Sequence, residues 1–162
     1  MEYQHIVHPF GPLYDVRSRI LILGSLPSVR SREQAFFYGH PQNRFWRLVA
    51  AIFDEPAPQT IEEKRQLVLS HGIAMWDTIF SCDIKGSSDS SIRNVVPTDL
   101  RPVIDNSSVT RVFCNGATSA RYYHRFQEKT LGMEAVTLPS TSPANAAWTF
   151  DRLLEAWSVI KS

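Results

Sequence analysis

The sequence predicts an α/β fold of three layers, with helices on both faces of a central, mostly parallel four-stranded sheet. Short apolar, β-branched runs recur along the chain, and glycine or Asn-Gly closes several of them. Amphipathic stretches at helical spacing separate these runs. The two kinds alternate in the order β-α-α-β-α-β-α-β-α, the pattern of parallel strands joined by crossover helices.

The elements read as follows. Ile20 to Leu23 ends at Gly24 and forms a buried strand. Asn43 to Phe53 forms a helix, with Phe45, Trp46, Val49, Ile52 and Phe53 at helical spacing. Thr60-Ile61-Glu62-Glu63 is a capping box: the Thr60 hydroxyl meets the Glu63 amide while the Glu63 side chain reaches back. Its helix runs to Ser70 or His71, with Gly72 as a left-handed stop. Ile73 to Trp76 is the second strand. Residues 81–96 are rich in Ser, Asp and Gly and read as a long surface loop with one helical turn near Ser91. Thr98 to Asn106 forms a short helix with Asp99 in its first turn. Val109 to Cys114 is the third strand, closed by Asn115-Gly116. Ala117 to Lys129 is a helix whose face carries Ala120, Tyr123 and Phe126. Ala135 to Leu138 is the fourth strand. Pro143 to Ile160 is the last helix, with Ala147, Phe150, Leu153, Leu154 and Trp157 on one stripe.

A chain of 162 residues with 43% hydrophobic content suits one compact domain, residues 1–162, with a sizeable core. The net charge of +1 argues against a protein that coats long nucleic acid. It leaves room for an enzyme that grips one short segment through a local basic patch. Cys82 and Cys114 make neither a disulfide framework nor a zinc pair, which suits a reducing cytoplasm. Met1 to His5 lack the flank and apolar core of a signal peptide, and no window is long and apolar enough to span a membrane.

The chemistry concentrates at Tyr38-Gly39-His40-Pro41-Gln42-Asn43-Arg44-Phe45-Trp46. A ring, an imidazole, an amide and a guanidinium fall within seven consecutive positions here. Such a loop can stack a flat ring, hydrogen-bond its edge and hold a phosphate. Ligands of open parallel sheets gather beyond the carboxyl ends of the strands. Three further segments fall there: Gly24 to Ser28, Asn115-Gly116, and Pro139 to Asn145. The last offers hydroxyls at Ser140, Thr141 and Ser142 and the amides of a helix start near Ser142, a plausible phosphate cradle. Each segment also has an ordinary explanation. Gly24 to Ser28 can be a plain turn, and Ser140 to Asn145 a plain N-cap. His40 can bond a backbone carbonyl, while Phe45 and Trp46 serve as core anchors.

Taken together, Gly24-Ser25-Leu26-Pro27-Ser28, His40-Pro41-Gln42-Asn43-Arg44-Phe45-Trp46 and Ser140-Thr141-Ser142-Pro143-Ala144-Asn145 resemble the uracil-DNA glycosylase superfamily. The middle segment is similar to the His-Pro-x-Asn-Arg-Phe-Trp of its mismatch-specific branch. Where that branch has a water-orienting asparagine in its first motif, this chain has Leu26, and Ser140 stands where the uracil enzymes have a histidine. These departures, with the Tyr-Gly-His-Pro-x-Asn-Arg-Phe-Trp form, resemble the hypoxanthine-DNA (deoxyinosine) glycosylase family.

The resemblance implies a uracil-DNA glycosylase-like fold and a monofunctional glycosylase that hydrolyses the glycosidic bond of deoxyinosine in DNA. A uracil or mismatch-thymine glycosylase, and a non-catalytic binding module, are the alternatives. Asn43 takes the catalytic role, by binding the base edge or positioning water. Tyr38 stacks on the flipped base with its phenol rim wet, and His40 and the backbone amides of Ser25 and Leu26 serve base binding. Ser28, Arg44, Ser140, Ser142 and Asn145 serve DNA binding, with Arg44 able to brace the loop instead. Ala144 falls where relatives insert a bulky wedge. Lys85 is the only nearby lysine for a Schiff-base step. The expected partner is DNA containing a deaminated base, bound by a cytoplasmic monomer that uses no cofactor and no metal.

Overall fold

The computed structural model of the protein describes residues 2–161, so Met1 and Ser162, the end points of the expected domain, lie outside the described residues. Strands β2 (Ile20–Gly24), β3 (Ile73–Asp77), β6 (Arg111–Asn115) and β7 (Ala135–Leu138) form a wholly parallel sheet in the order β3-β2-β6-β7. Register pairs Ile20 with Ile73 and Arg111, and Phe113 with Val136.

Alternation along β2 divides the core. Ile20 and Ile22 face the layer of helices α2 (Phe45–Ile52), α3 (Ile61–Ser70) and α7 (Phe150–Trp157). Leu21 and Leu23 face α4 (Arg101–Asp105) and α5 (Ala117–Phe126). The central strand is therefore apolar at every position, as a sheet covered on both sides requires. At its carboxyl end, the Ser119 hydroxyl donates to the carbonyls of Leu23 (2.8 Å) and Gly24 (3.1 Å), tying α5 to the mouth of the sheet.

Helix α3 is capped as its sequence anticipates. The Thr60 hydroxyl accepts from the Glu63 amide at 3.1 Å, and the Glu63 carboxylate returns to the Gln59 amide and the Thr60 hydroxyl. Gly72 follows at φ +72°, where glycine alone is free of Cβ strain.

Other expectations are corrected. Residues 81–96 are not one loop. Strands β4 (Ile79–Ile84) and β5 (Arg93–Pro97) occupy its two ends and join β1 (Gln4–Val7) in an antiparallel sheet of order β1-β4-β5. The β4 pattern hid because register shifts on either side of Ser81 break its period-two alternation. Only the middle is loop, with a 3₁₀ turn at Asp89–Ser91. A short helix α1 (Val29–Gln34) also went unforeseen, capped by Ser28. The helix expected over 98–106 spans only Arg101–Asp105, because Thr98 is buried and hydrogen-bonds the Asp77 carbonyl at 2.7 Å. Helix α5 ends at Phe126, and a separate turn α6 (Glu128–Leu131) follows. Gln127 breaks the run by turning its amide inward onto the carbonyls of Thr78 and Thr98, both at 3.0 Å.

The last helix begins at Phe150, not Pro143. Thr149 is its N-cap and accepts from the Arg152 amide. Trp157 on this helix is fully buried, stands edge-on to Phe45 at 5.9 Å, and donates its indole N–H to the Pro139 carbonyl at 2.9 Å. It thus couples α7, α2 and the segment leaving β7. Trp157→Ala is expected to lower unfolding free energy by about 3–5 kcal/mol; the midpoint of urea denaturation measures it.

Candidate active site

A cavity of about 280 Å³ opens at the carboxyl ends of the parallel strands. Gly24 to Ser28 form one wall, Ser140 to Ser142 another, and Asn115 and Gly116 the back. Gly86, Ser87 and Asp89 of the β4–β5 loop close one side, and Asp89 is fastened to α5 by the Thr118 hydroxyl at 3.1 Å.

Asn43 lines this cavity in a fixed orientation. Its Oδ1 accepts from the Phe45 amide at 2.9 Å, at the start of α2, and from the Thr141 hydroxyl at 2.8 Å. The Phe45 N–H is an obligate donor, so it settles which end of the amide is oxygen. Thr141, fully buried, accepts in turn from Asn115 Nδ2 at 3.0 Å, while Asn115 Oδ1 takes the Thr141 amide at 3.0 Å. A one-way chain therefore runs Asn115 to Thr141 to Asn43. The Asn43 Nδ2 hydrogens have no partner among the described residues and are the group this amide offers to a ligand.

Tyr38 stands beside it at φ +50°, in the left-handed region, with one ring face stacked on Phe45 at 4.3 Å and 25°. The expected wet phenol rim is corrected: the hydroxyl is buried and has no hydrogen-bond partner. Burial first, then the charge of Asp77, push this phenol well above the usual tyrosine range, against the opposing pull of Asn115. Tyr38 thus remains a neutral donor.

Asp77, at the end of β3, also lines the cavity. A Cβ on Gly24 would lie 2.4 Å from Asp77 Oδ1 and 3.2 Å from the Tyr38 hydroxyl, so only glycine fits where these two side chains approach β2.

Arg44 does not face the cavity. Its guanidinium donates to the carbonyls of Thr141 (3.3 Å), Ser142 (2.7 Å), Asn145 (3.1 Å) and Trp148. In a helix begun at Pro143 the Ser142 and Asn145 carbonyls would accept amides four residues on; here they accept those of Asn145 and Trp148, three residues on, at 3.0 and 3.2 Å, and the guanidinium besides, so the segment stays in turns. Arg44 braces the loop rather than gripping a phosphate, and the helix-dipole cradle expected at Ser142 is absent from its place. Ser140 and Ser142 line the cavity, but each hydroxyl accepts an amide of its own loop, at 3.1 and 3.2 Å. Asn145 supports that loop through the Ser140 carbonyl at 3.0 Å.

His40 is likewise outside the cavity lining, because its Nδ1 accepts the Gln42 amide at 3.1 Å and closes its own turn. Ser28 lines the cavity while its hydroxyl caps α1 through the Ser31 amide at 3.2 Å. Among the described residues no hydrogen bond occupies the Ser25 or Leu26 amide, and the Leu26 side chain packs on the small core under the antiparallel sheet. Lys85 is held over the Tyr3 ring at 4.8 Å.

Sequence reasoning missed Asp77, and it placed Asn115 and Thr141 at the ligand edge without the role of orienting Asn43. Asp77 and Asn115 each end a parallel strand at its carboxyl side, so their position alone was a usable signal. Arg44→Lys is expected to lower stability by about 1–3 kcal/mol, since one ammonium cannot reach the spread carbonyls. It is also expected to open residues 141–148 to proteolysis; a thermal melt and timed digestion check both.

The model of the family described as the uracil DNA glycosylase superfamily matches residues 12–161. A protein named hypoxanthine DNA glycosylase from Methanosarcina acetivorans is 33% identical over 153 residues, covering 93% of this chain and 95% of that protein. Another of the same name from Methanosarcina barkeri is 32% identical over 138 residues, covering 84% and 86%. A solution NMR structure from Methanosarcina acetivorans, described as a candidate uracil DNA glycosylase, superposes with a TM-score of 0.80 at 30% identity over 94% of both chains.

Proposed function

This chain belongs to the uracil DNA glycosylase superfamily, and on that premise we propose that it is a monofunctional DNA glycosylase releasing hypoxanthine from deoxyinosine. The observation that carries this is the Asn43 amide, whose oxygen is held by two protein donors and whose N–H groups remain for a ligand in the cavity. The names of both Methanosarcina relatives support hypoxanthine as the base.

The reaction breaks the bond between N9 of the base and C1′ of deoxyribose. Its electron pair leaves with the base, so C1′ becomes cationic and the purine gains negative charge. Water then bonds to C1′ and gives up a proton, and the products are an abasic site and free hypoxanthine. The protein's task is to meet charge on the leaving base with donors already in place. Asn43 Nδ2 is one such donor, and the amides of Ser25 and Leu26 supply others for a base carbonyl. Because Asn43 Oδ1 already holds two donors, the amide stabilises the base rather than orienting the attacking water. Leu26, apolar, does not orient water either.

Tyr38, with one ring face already against Phe45, meets the flipped base with its hydroxyl edge in place of the expected ring face. The phosphate contacts are the turn at Ser28 and the Ser140 and Ser142 hydroxyls, which accept loop amides and keep their own hydrogens to donate. Among the described residues no lysine lines the cavity, so we take the enzyme to stop at the abasic site without cutting the strand. We take it to work as one domain over residues 1–162, as a cytoplasmic monomer without metal or cofactor.

The test is a set of oligonucleotides carrying deoxyinosine, deoxyuridine or mismatched thymine, with strand breakage scored after alkali. Breakage at deoxyinosine only after alkali is expected. Preference for deoxyuridine would instead make it a uracil enzyme, and binding without breakage a non-catalytic module. Asn43→Asp keeps both contacts of Oδ1 but replaces the free donors with an acceptor, and is expected to slow excision by ~10²-fold or more. Rates with and without EDTA should agree.

A further inference from the structure

The floor of the cavity holds a buried polar couple that the chemistry above leaves unused. His8 Nε2 lies 2.7 Å from Asp77 Oδ2, with side-chain exposures of 0% and 6%. His8 is set by its neighbours: its amide donates to the Phe80 carbonyl at 2.7 Å, and Phe10 stands edge-on to its ring at 4.5 Å. The Phe10 amide donates to His8 Nδ1 at 3.4 Å, which assigns the hydrogen to Nε2, pointing at Asp77.

The other carboxylate oxygen, Asp77 Oδ1, receives no hydrogen bond among the described residues, although the residue is 4% exposed and lines the cavity. Unlike the Tyr38 hydroxyl, this oxygen is not sealed off, so it is an acceptor that the cavity can present to a ligand. Beside it the Tyr38 hydroxyl is a buried donor without an acceptor, and both atoms crowd the same point next to Gly24. An acceptor and a donor, side by side and unsatisfied, are the complement of a lactam edge, in which a carbonyl adjoins an N–H.

We propose that Asp77, held in place by His8, determines which base is accepted: its Oδ1 takes the N1–H of the extruded hypoxanthine. The Tyr38 hydroxyl is the neighbouring donor for O6. This deepens the glycosylase function proposed above and rests on it. Adenine reverses both contacts, since its N1 is an acceptor and an amino group replaces O6. The carboxylate then faces a lone pair and the phenol faces a donor. Guanine shares the lactam edge, so its exclusion falls to its 2-amino group and the size of the cavity. His8 is a positioning residue that keeps the carboxylate from turning away.

The experiment measures single-turnover excision from oligonucleotides carrying deoxyinosine or 2′-deoxynebularine, a purine nucleoside with neither O6 nor N1–H. In Asp77→Asn the side-chain oxygen stays with His8 Nε2–H, so the amide N–H groups confront N1–H. Loss of ~10²-fold on deoxyinosine is expected, with no loss on deoxynebularine, whose acceptor N1 is repelled by the carboxylate and met by the amide N–H. His8→Ala is expected to shift the same ratio in the same direction by a smaller factor, and decides the matter if Asp77→Asn does not fold. Equal losses on the two substrates would overturn the role of Asp77 while leaving the glycosylase intact. Failure of the wild-type enzyme to act on deoxyinosine is a separate result, and overturns the function on which this role rests.

Discussion

The hydroxyl of Thr141 holds the catalytic edge of this molecule together. It lies at full burial between two carboxamides, accepting from Asn115 and donating to Asn43. Each partner belongs to a different part of the fold: Asn115 ends β6, Thr141 follows β7, and Asn43 precedes α2 and holds its first amide. Because a hydroxyl has one hydrogen, the direction of the chain is set at both ends. The orientation of Asn43 is thereby decided before any ligand arrives. Arg44 secures the same junction from outside, gathering the carbonyls of residues 141–148 into one guanidinium. It adds a second, charged donor to carbonyls of Thr141, Ser142 and Asn145 that already accept backbone amides.

Such rigidity suits a reaction in which the protein stabilises charge instead of supplying a nucleophile. Donors aimed in advance at a developing anion cost no reorganisation when the bond breaks. The aromatic packing behind the site serves the same end. Tyr38 rests on Phe45, Phe45 meets Trp46 and Trp157 edge-on, and this ladder runs straight into the main core. A base entering the cavity meets a wall that cannot yield without disturbing the whole helix layer.

The polar floor has a different character. Asp77 and His8 are both buried, and their pairing leaves one oxygen open. Replacing such a couple with apolar groups often stabilises a protein, so its presence argues for use rather than for stability. The near-neutral charge of the chain fits the proposed grip on one short segment rather than a basic face that coats long nucleic acid.

Much was legible from the residues alone. The four parallel strands, the order of the main helices, the Thr60 cap and the Gly72 stop follow from apolar period and local turn chemistry, which act within a few residues. Tyr38 and Asn43 announced themselves because their loop carries too much chemistry for a plain turn. What stayed hidden depends on long separations. The antiparallel sheet escaped because bulges at Ser81 erase its alternation, and the late start of α7 because Arg44 reaches it across about a hundred residues. His8 meets Asp77 across 69 residues, which no local pattern reports. His40 and Arg44 look like ligand-binding groups on paper, yet nearby backbone satisfies them first. Local chemistry decided which elements form; the tertiary structure decided which polar atoms are left over, since only packing shows which donors and acceptors have already been met.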